Sequence, residues 1–325
     1  MENFEYGNPA SVSEAVAMLG AQWGDADVLA GGTDLISLMK EHLHTPKRVV
    51  NIKNIAELEG IRKSSGALRI GALVTMDELA KNAVVKAEYR ALADAAEAIP
   101  SPQIRHMGTV GGDLCQRPRC WYYRQGLGLL AIEDGKPLVP NGENKYHAIF
   151  GGGPAYFVSP SSLGPALVAM GAKIKLVSAK RAREVDAAKF FLAPKDESTR
   201  EIALGSDEIL TEIVVPAAVG HSASYEVRQR EALDWPLAAA AVTLKMNGSA
   251  VASARIVLGH VAPTPWDAVD AARSLAGKPV TVATAEAAAK ASVVGAQPLS
   301  QNAYKVTLAK TAVKRALLAA ANVKA

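Results

Sequence analysis

The sequence predicts an α+β protein of two units, a mixed unit to about residue 220 and a smaller antiparallel sheet covered by helices after it. Three observations carry this. Up to Val215, short apolar runs of strand character alternate with capped helical segments. Beyond Pro216 to His221 three strand-like runs follow one another, with Asn247-Gly248 as a hairpin turn. The length of 325 residues, 49% of them hydrophobic, suits two cores at about 150 residues per domain.

The elements follow in order. Ser11-x-x-Glu14 is a capping box, and Ala15, Val16, Met18 and Leu19 continue at helical spacing to Gly20. A short run from Ala26 to Ala30 breaks at Gly31-Gly32-Thr33-Asp34, and Leu35 to Met39 reads as a helix start. Val49 to Ile52 is a strand. Ile61 and Leu68 to Ala72 flank Ser64-Ser65-Gly66 as a hairpin, which divides the first unit into subdomains of about 1–55 and 56–220. Thr75-x-x-Glu78 opens a helix, and an Ala-rich helix from Tyr89 to Ile99 ends before Ser101-Pro102. A second glycine turn, Gly108 to Asp113, follows. Residues 114–156 lose periodicity and form an insertion of a length usually tied to function. Leu163 to Met170 is helical, while Lys173 to Val177 and Glu208 to Val215 are strands. In the second unit, 221–325, Ser224 to Arg230, Ala239 to Met246 and Val251 to Leu258 are strands. Helices are expected at Trp266 to Leu275, at Thr284 to Ala291 and from Ala303 onward, the last with Val306, Ala309, Val313, Leu317 and Ala320 on one face.

Composition removes several classes of function. Aromatic residues are only 5%, too few for a single-stranded nucleic-acid stacking platform. A net charge of +4 is spread through mixed signs, so no basic patch for nucleic acid stands out. Two cysteines cannot staple a chain this long, and a reducing compartment is the expectation. Neither a signal-peptide pattern nor a membrane-spanning run is seen, so a cytoplasmic location is expected, with export only when carried by a partner.

The two glycine turns carry the chemistry. Each offers backbone N–H groups that no Cβ shields, and such concavities bind phosphate oxygens. The first also opens a helix, whose amino end favours an anion. Two cradles in one unit suit a pyrophosphate, although a single Gly-Gly turn is more often plain loop chemistry than a ligand site. Neither matches G-x-G-x-x-G or G-x-x-x-x-G-K-[ST], and no H-E-x-x-H or G-x-S-x-G occurs.

Ala30-Gly31-Gly32-Thr33-Asp34-Leu35, together with Ile104-Arg105-x-x-Gly108-Thr109-Val110-Gly111-Gly112-Asp113-Leu114, resembles the FAD-binding medium subunit of molybdenum hydroxylases. That family includes xanthine dehydrogenase, carbon monoxide dehydrogenase and aldehyde oxidoreductase. The likeness continues through Phe157 to Leu163, Asp207 to Ile213, Arg228 to Arg230 with Asp234-Trp235, and Leu258 to Pro265. The segment Cys115 to Arg124 looks like the aldehyde-oxidoreductase branch. The resemblance implies a two-part FAD-binding domain of the PCMH/vanillyl-alcohol-oxidase type and a CO-dehydrogenase flavoprotein-type C-terminal domain. It also implies an oxidoreductase subunit passing electrons from an iron–sulfur subunit through FAD to an external acceptor.

By the same resemblance, Leu29, Ala30, Gly31, Gly32, Thr33, Asp34 and Leu35 form the first FAD loop. Arg105, Gly108, Thr109, Gly111, Gly112 and Asp113 belong to the second. Ser162 stands where relatives often place an Asp toward the ribityl chain, and Ile209 and Leu210 match an apolar pair beside the isoalloxazine ring. Asp113 replaces a usual Asn, and would be repelled by pyrophosphate unless it points away. Glu226 stands where some relatives carry a Lys near the flavin. No side chain is expected to act as nucleophile or general base, because the flavin carries the redox chemistry. The partners implied are a small [2Fe–2S] subunit and a large molybdenum-cofactor subunit.

Cys115 and Cys120 occupy positions that hold a [4Fe–4S] cluster in some members of that branch. Such a cluster takes about four thiolates, and two cysteines with His147 nearby do not supply them. Two free thiols are therefore expected, with no metal site in this chain; a cluster shared between subunits or a redox disulfide at Cys115 and Cys120 is the alternative. His106 reads as a surface residue, Trp121 to Arg124 as packing, and Trp235 and Trp266 as core. A self-sufficient flavin oxidoreductase and a flavin-free structural subunit stay open as alternatives.

Overall fold

The computed structural model describes residues 1–218 and 220–324; Val219, in the predicted junction, and Ala325, in the predicted last helical stretch, lie outside the described residues. A small parallel sheet comes first, with Arg48–Asn51 between Glu5–Gly7 and Ala26–Leu29. Helix Val12–Ala17 lays its buried Ala15 and Val16 against Val50, Ile52, Ile55 and Leu58. Ser11 caps that helix, accepting from the Glu14 amide at 3.2 Å.

The second sheet is antiparallel, in the order Ile61–Ser64, Ala67–Gly71, Ile209–Val215, Lys173–Val177, Ala182–Asp186. Ser65 and Gly66 turn its first hairpin with φ of 52° and 75°, the two left-handed positions that match the twist of the flanking strands. The strand Ala182–Asp186 escapes a reading by pattern because it is an exposed edge with no buried side chain. Helices Met76–Lys81, Arg90–Glu97 and Leu163–Ala169 bury their apolar residues against this sheet in one core. The Thr75 capping box is complete, and Asn82 starts a separate helix, Ala83–Glu88.

A third sheet holds His221–Val227, Ala238–Asn247, Ala250–Gly259 and Trp266–Asp267, all antiparallel. Trp266 therefore ends the sheet rather than opening a helix, and the helix starts at Val269. The cause is pairing with Leu258 and stacking of its ring on Phe150, centroids 4.8 Å apart. Helices Val282–Ala291 and Tyr304–Ala320 share the core on one face of this sheet. The other face meets the first unit. There Ala241 and Val257 join its core, Ser222 Oγ accepts from the Ala91 amide at 3.2 Å, and the Ser224 amide donates to Asp94 at 3.1 Å.

The insertion 114–156 has structure of its own, with helix Trp121–Arg124 and a hairpin of Ile132–Glu133 with Lys136–Pro137. Its second half crosses to the other unit, where Ile149 and Phe150 enter the C-terminal core. Asn144 ties the crossing down, donating to Ser300 Oγ at 3.0 Å and accepting from the Gln301 amide at 2.9 Å. Among the described residues no helix is long and apolar enough to cross a membrane.

Because Phe150 is 1% exposed, truncating it leaves a cavity in the C-terminal core. Phe150→Ala is expected to cost about 3–5 kcal/mol, measured as a shift of the urea unfolding midpoint.

Candidate functional site

The two glycine turns touch. A Cβ on Gly31 would lie 1.7 Å from the Met107 carbonyl oxygen, so only glycine lets the first turn rest on the second. Gly32 follows with φ of 77°, a left-handed position. On the second turn, Thr109 Oγ1 accepts from the Gly112 amide at 3.1 Å and caps helix Val110–Cys115. Val110 and Gly111 donate to the carbonyls of Val74 and Ala72 at 2.8 and 2.9 Å, stitching this turn to the second sheet.

Between the turns and the 228–236 loop lies a cleft of about 480 Å³. Ala30 to Leu35, Gly108, Thr109, Gly112, Asp113 and Ser162 form its wall. Leu29, Arg105, Gly111, Ile209 and Leu210 are not on that wall. Leu29 ends a strand, Gly111 is packed against Ala72, and Arg105 donates to the Ile99 carbonyl. Ile209 and Leu210 are buried in two different cores, as successive strand residues must face opposite ways. The apolar part of the wall includes Ile99, Ile202 and Leu204, which sequence reasoning missed, together with Leu38, Met76 and Ile104. Ile202 and Leu204 stand two apart before the Gly205 turn, the only pattern that could have marked them.

Both acidic residues of the turns are engaged elsewhere. Asp34 Oδ1 accepts from Arg124 at 2.9 Å and forms an ion pair with Arg119 Nη2 at 3.0 Å, while Oδ2 accepts from the Arg117 amide at 2.8 Å. Asp113 turns toward the next loop. It accepts from Ser161 Oγ and from the amides of Leu163 and Ser162, at 3.1 and 3.3 Å, and from Gln116 Nε2 at 3.1 Å. Burial pushes its carboxyl from the ordinary 3.8 up to about 6, against the pull of those donors.

A cluster of arginines closes the far end of the cleft. Arg117 Nε lies 2.7 Å from Glu201, and Arg200 stacks over Trp23 with its guanidinium 4.0 Å from the ring centroid. Arg119 stacks over Trp235 at 4.4 Å. Trp235 is 45% exposed on the cleft rim and so is not the core residue its sequence suggests. Trp121 packs edge-on against Tyr146 and donates to the Glu143 carbonyl at 3.0 Å, and Tyr123 is buried beside His44. His106 sits on the surface, 3.5 Å from Asp77.

Residues 2–218 match the family model "FAD binding domain in molybdopterin dehydrogenase", and 223–320 match "CO dehydrogenase flavoprotein C-terminal domain". The chain belongs to this family of FAD-binding domains of molybdopterin dehydrogenases. It is 34% identical to the carbon monoxide dehydrogenase medium chain of Hydrogenophaga pseudoflava, over 98% of this chain and 96% of that one. To the aldehyde oxidoreductase FAD-binding subunit PaoB of Escherichia coli it is 29% identical, over 95% and 96%. Identity thus favours the carbon monoxide dehydrogenase chain over PaoB, so the Cys115 to Arg124 segment does not place the protein in the aldehyde branch. Among solved structures, carbon monoxide dehydrogenase from H. pseudoflava superposes with a TM-score of 0.76 at 31% identity, covering 98% of this chain and 97% of that one. Quinoline 2-oxidoreductase from Pseudomonas putida 86 gives 0.77 at 26%, covering 99% and 98%.

Within this FAD-binding family member both thiols are free. Burial drives Cys115 up to about 12, and Cys120 Sγ lies 3.2 Å from His147 Nε2, whose ring burial and Lys305 push down to about 4. No group of three His, Cys, Asp or Glu side chains among the described residues is arranged to hold a metal ion.

The raised Asp113 carboxyl makes a pH prediction. The folded state holds its proton more tightly than the unfolded chain, so stability falls as pH rises from about 4 to about 6 and levels off above. The ionisation cost is about 3 kcal/mol at neutral pH. Asp113→Asn should therefore be less stable relative to wild type at pH 4 than at pH 7, by an amount of that order, in urea titrations at each pH.

Proposed function

We propose that this chain is the FAD-carrying electron-transfer subunit of a three-subunit molybdenum hydroxylase. The observation that carries the reading is the Gly31 contact with the Met107 carbonyl, which turns two separate glycine loops into one continuous wall. That wall fits a diphosphate on two grounds. The loops carry no side chain at the contact, and both acidic residues are neutralised or directed away, Asp34 by Arg119 and Arg124, Asp113 by the Ser161 to Leu163 segment. A carboxylate facing a diphosphate would repel it, so this arrangement is what such a ligand requires.

In this reading Gly31 to Leu35 and Thr109 hold the diphosphate through backbone amides, with the hydroxyls of Thr33 and Thr109 beside them, while the amides of Gly108, Val110, Gly111 and Gly112 are spent on shaping the second turn. Ser162 meets the linking chain, and Ile99, Ile202 and Leu204 pack against the ring system in place of Ile209 and Leu210. Bound FAD supplies acceptance of two electrons and their release singly or as a pair. The protein's own residues bind, orient and exclude water, and none is needed as nucleophile or general base. The small partner is a [2Fe–2S] subunit that delivers electrons. The large partner holds the molybdenum cofactor and oxidises the substrate. The complex is placed in the cytoplasm unless a partner carries it out.

Co-expression with the two neighbouring subunits should yield a three-component complex with about one FAD per copy of this chain, read from its absorbance in the blue. A colourless chain, or a yellow monomer reduced by substrate without partners, overturns the reading. Gly31→Ala places a methyl group on the Met107 carbonyl, and its FAD affinity should drop at least about tenfold, or about 1.4 kcal/mol. Circular dichroism of the variant should stay that of wild type.

A further inference from the structure

The cleft wall contains a carboxyl that no part of the cradle uses. Glu226, on strand His221–Val227, lines the cleft with its side chain 4% exposed. Its Oε2 accepts from Arg228 Nη2 at 2.6 Å, but its Oε1 is buried without a hydrogen-bond partner. Facing Oε1 at 3.9 Å is His260 Nε2, equally buried and equally without a partner. Two unpaired polar atoms this close cost free energy that a single shared proton recovers.

The surroundings decide where that proton sits. His260 is held by a left-handed backbone, φ of 59°, and by its carbonyl, which accepts from Lys305 Nζ at 2.7 Å. Burial, Lys305 and Arg228 all disfavour a charged ring and push it down to about 3. The imidazole therefore stays neutral, and in the tautomer with its hydrogen on Nδ1 its Nε2 is an acceptor. Arg228 favours the ionised Glu226, yet burial outweighs it and moves the carboxyl upward. The Ser162 hydroxyl, from the neighbouring loop, also favours the ionised Glu226 by hydrogen bonding, though less than burial opposes it, and Asp113, from helix Val110–Cys115, adds a second buried carboxyl within electrostatic reach. Asp113 is the rival acceptor. All four of its contacts come from donors that need its oxygens as acceptors, whereas Glu226 Oε1 has room for a hydrogen.

We propose that Glu226 takes up one proton from solvent when the FAD diphosphate enters the cleft, and that the new O–H donates to His260 Nε2. The step is a protonation alone; no electron moves, and the buffer supplies the proton. It rests on the FAD reading above. By linkage, FAD should bind more weakly as pH rises, approaching about tenfold per pH unit while the free chain is ionised and the loaded one is not.

The test is calorimetric titration of the full-length, deflavinated chain with FAD in two buffers of different ionisation enthalpy, between about pH 6 and pH 8. Wild type should take up as much as one proton per FAD, and Glu226→Gln, which keeps an acceptor for Arg228, should take up none and show a flat affinity profile. His260→Asn should lower the uptake and serves if the first variant does not fold. Unchanged uptake in Glu226→Gln, or loss of uptake in Asp113→Asn alone, overturns the proposal. So does FAD binding without proton uptake in wild type. No FAD binding at all overturns the functional reading instead.

Discussion

The architecture hangs on one steric constraint, the missing side chain at Gly31. The small parallel sheet and the larger antiparallel sheet share no strand. What brings them together at the cleft is a turn from each, and the turns approach until the Gly31 Cα is against the Met107 carbonyl. A methyl group there cannot be absorbed by a rotamer change, because the obstacle is backbone. The Met107 end cannot retreat either, since Gly108 and Thr109 are bound to the Thr75 to Met76 segment through the Met76 amide and a bridge between Thr75 and Thr109. A local contact thus sets the separation of two whole subdomains, and with it the width of the cleft.

Electrostatics complete what sterics begin. Four carboxylates at or beside the cleft have arginine partners: Asp34 with two, Glu201 with Arg117, Glu208 with Arg183 at 2.6 Å and Glu226 with Arg228. Breaking one side of such a buried pair leaves an uncompensated charge, the expensive outcome. Asp113 is buried and has only neutral donors, and this is why burial can raise it so far. The cleft is therefore sensitive to an added anion where compensation is incomplete, at Asp113 and at the open oxygen of Glu226.

How much of this was legible follows from what each feature needs. The glycine turns, the hairpin at Ser65-Gly66 and the strand succession after residue 220 are written in local pattern, since turn chemistry and alternation are properties of short segments. The role of Asp113 was half legible: its sequence position showed a carboxylate where a diphosphate would repel it, but only the fold shows the Ser161 to Leu163 segment it turns to. Ile209 and Leu210 illustrate the opposite case. Their motif match is good, yet a strand sends neighbours to opposite faces, and both faces here are core. Trp235 and Arg200 were invisible as site residues because each is defined by a stacking partner far away in sequence, Arg119 and Trp23.

The insertion shows how the remaining pieces depend on each other. Its first half supplies Arg119 and Arg124 to Asp34, and so holds the first glycine turn through a second contact besides Met107. Its second half places Ile149 and Phe150 in the C-terminal core, where Asn302 and Lys305 of the last helical region grip the backbone at His147. Cys120 sits midway, its thiol against His147 in a packed interior rather than in a ligand cage. A segment that sequence pattern leaves without structure is thus the strap between the cradle and the second unit. Its order comes from long-range contacts at both ends, and local periodicity carries no trace of such contacts.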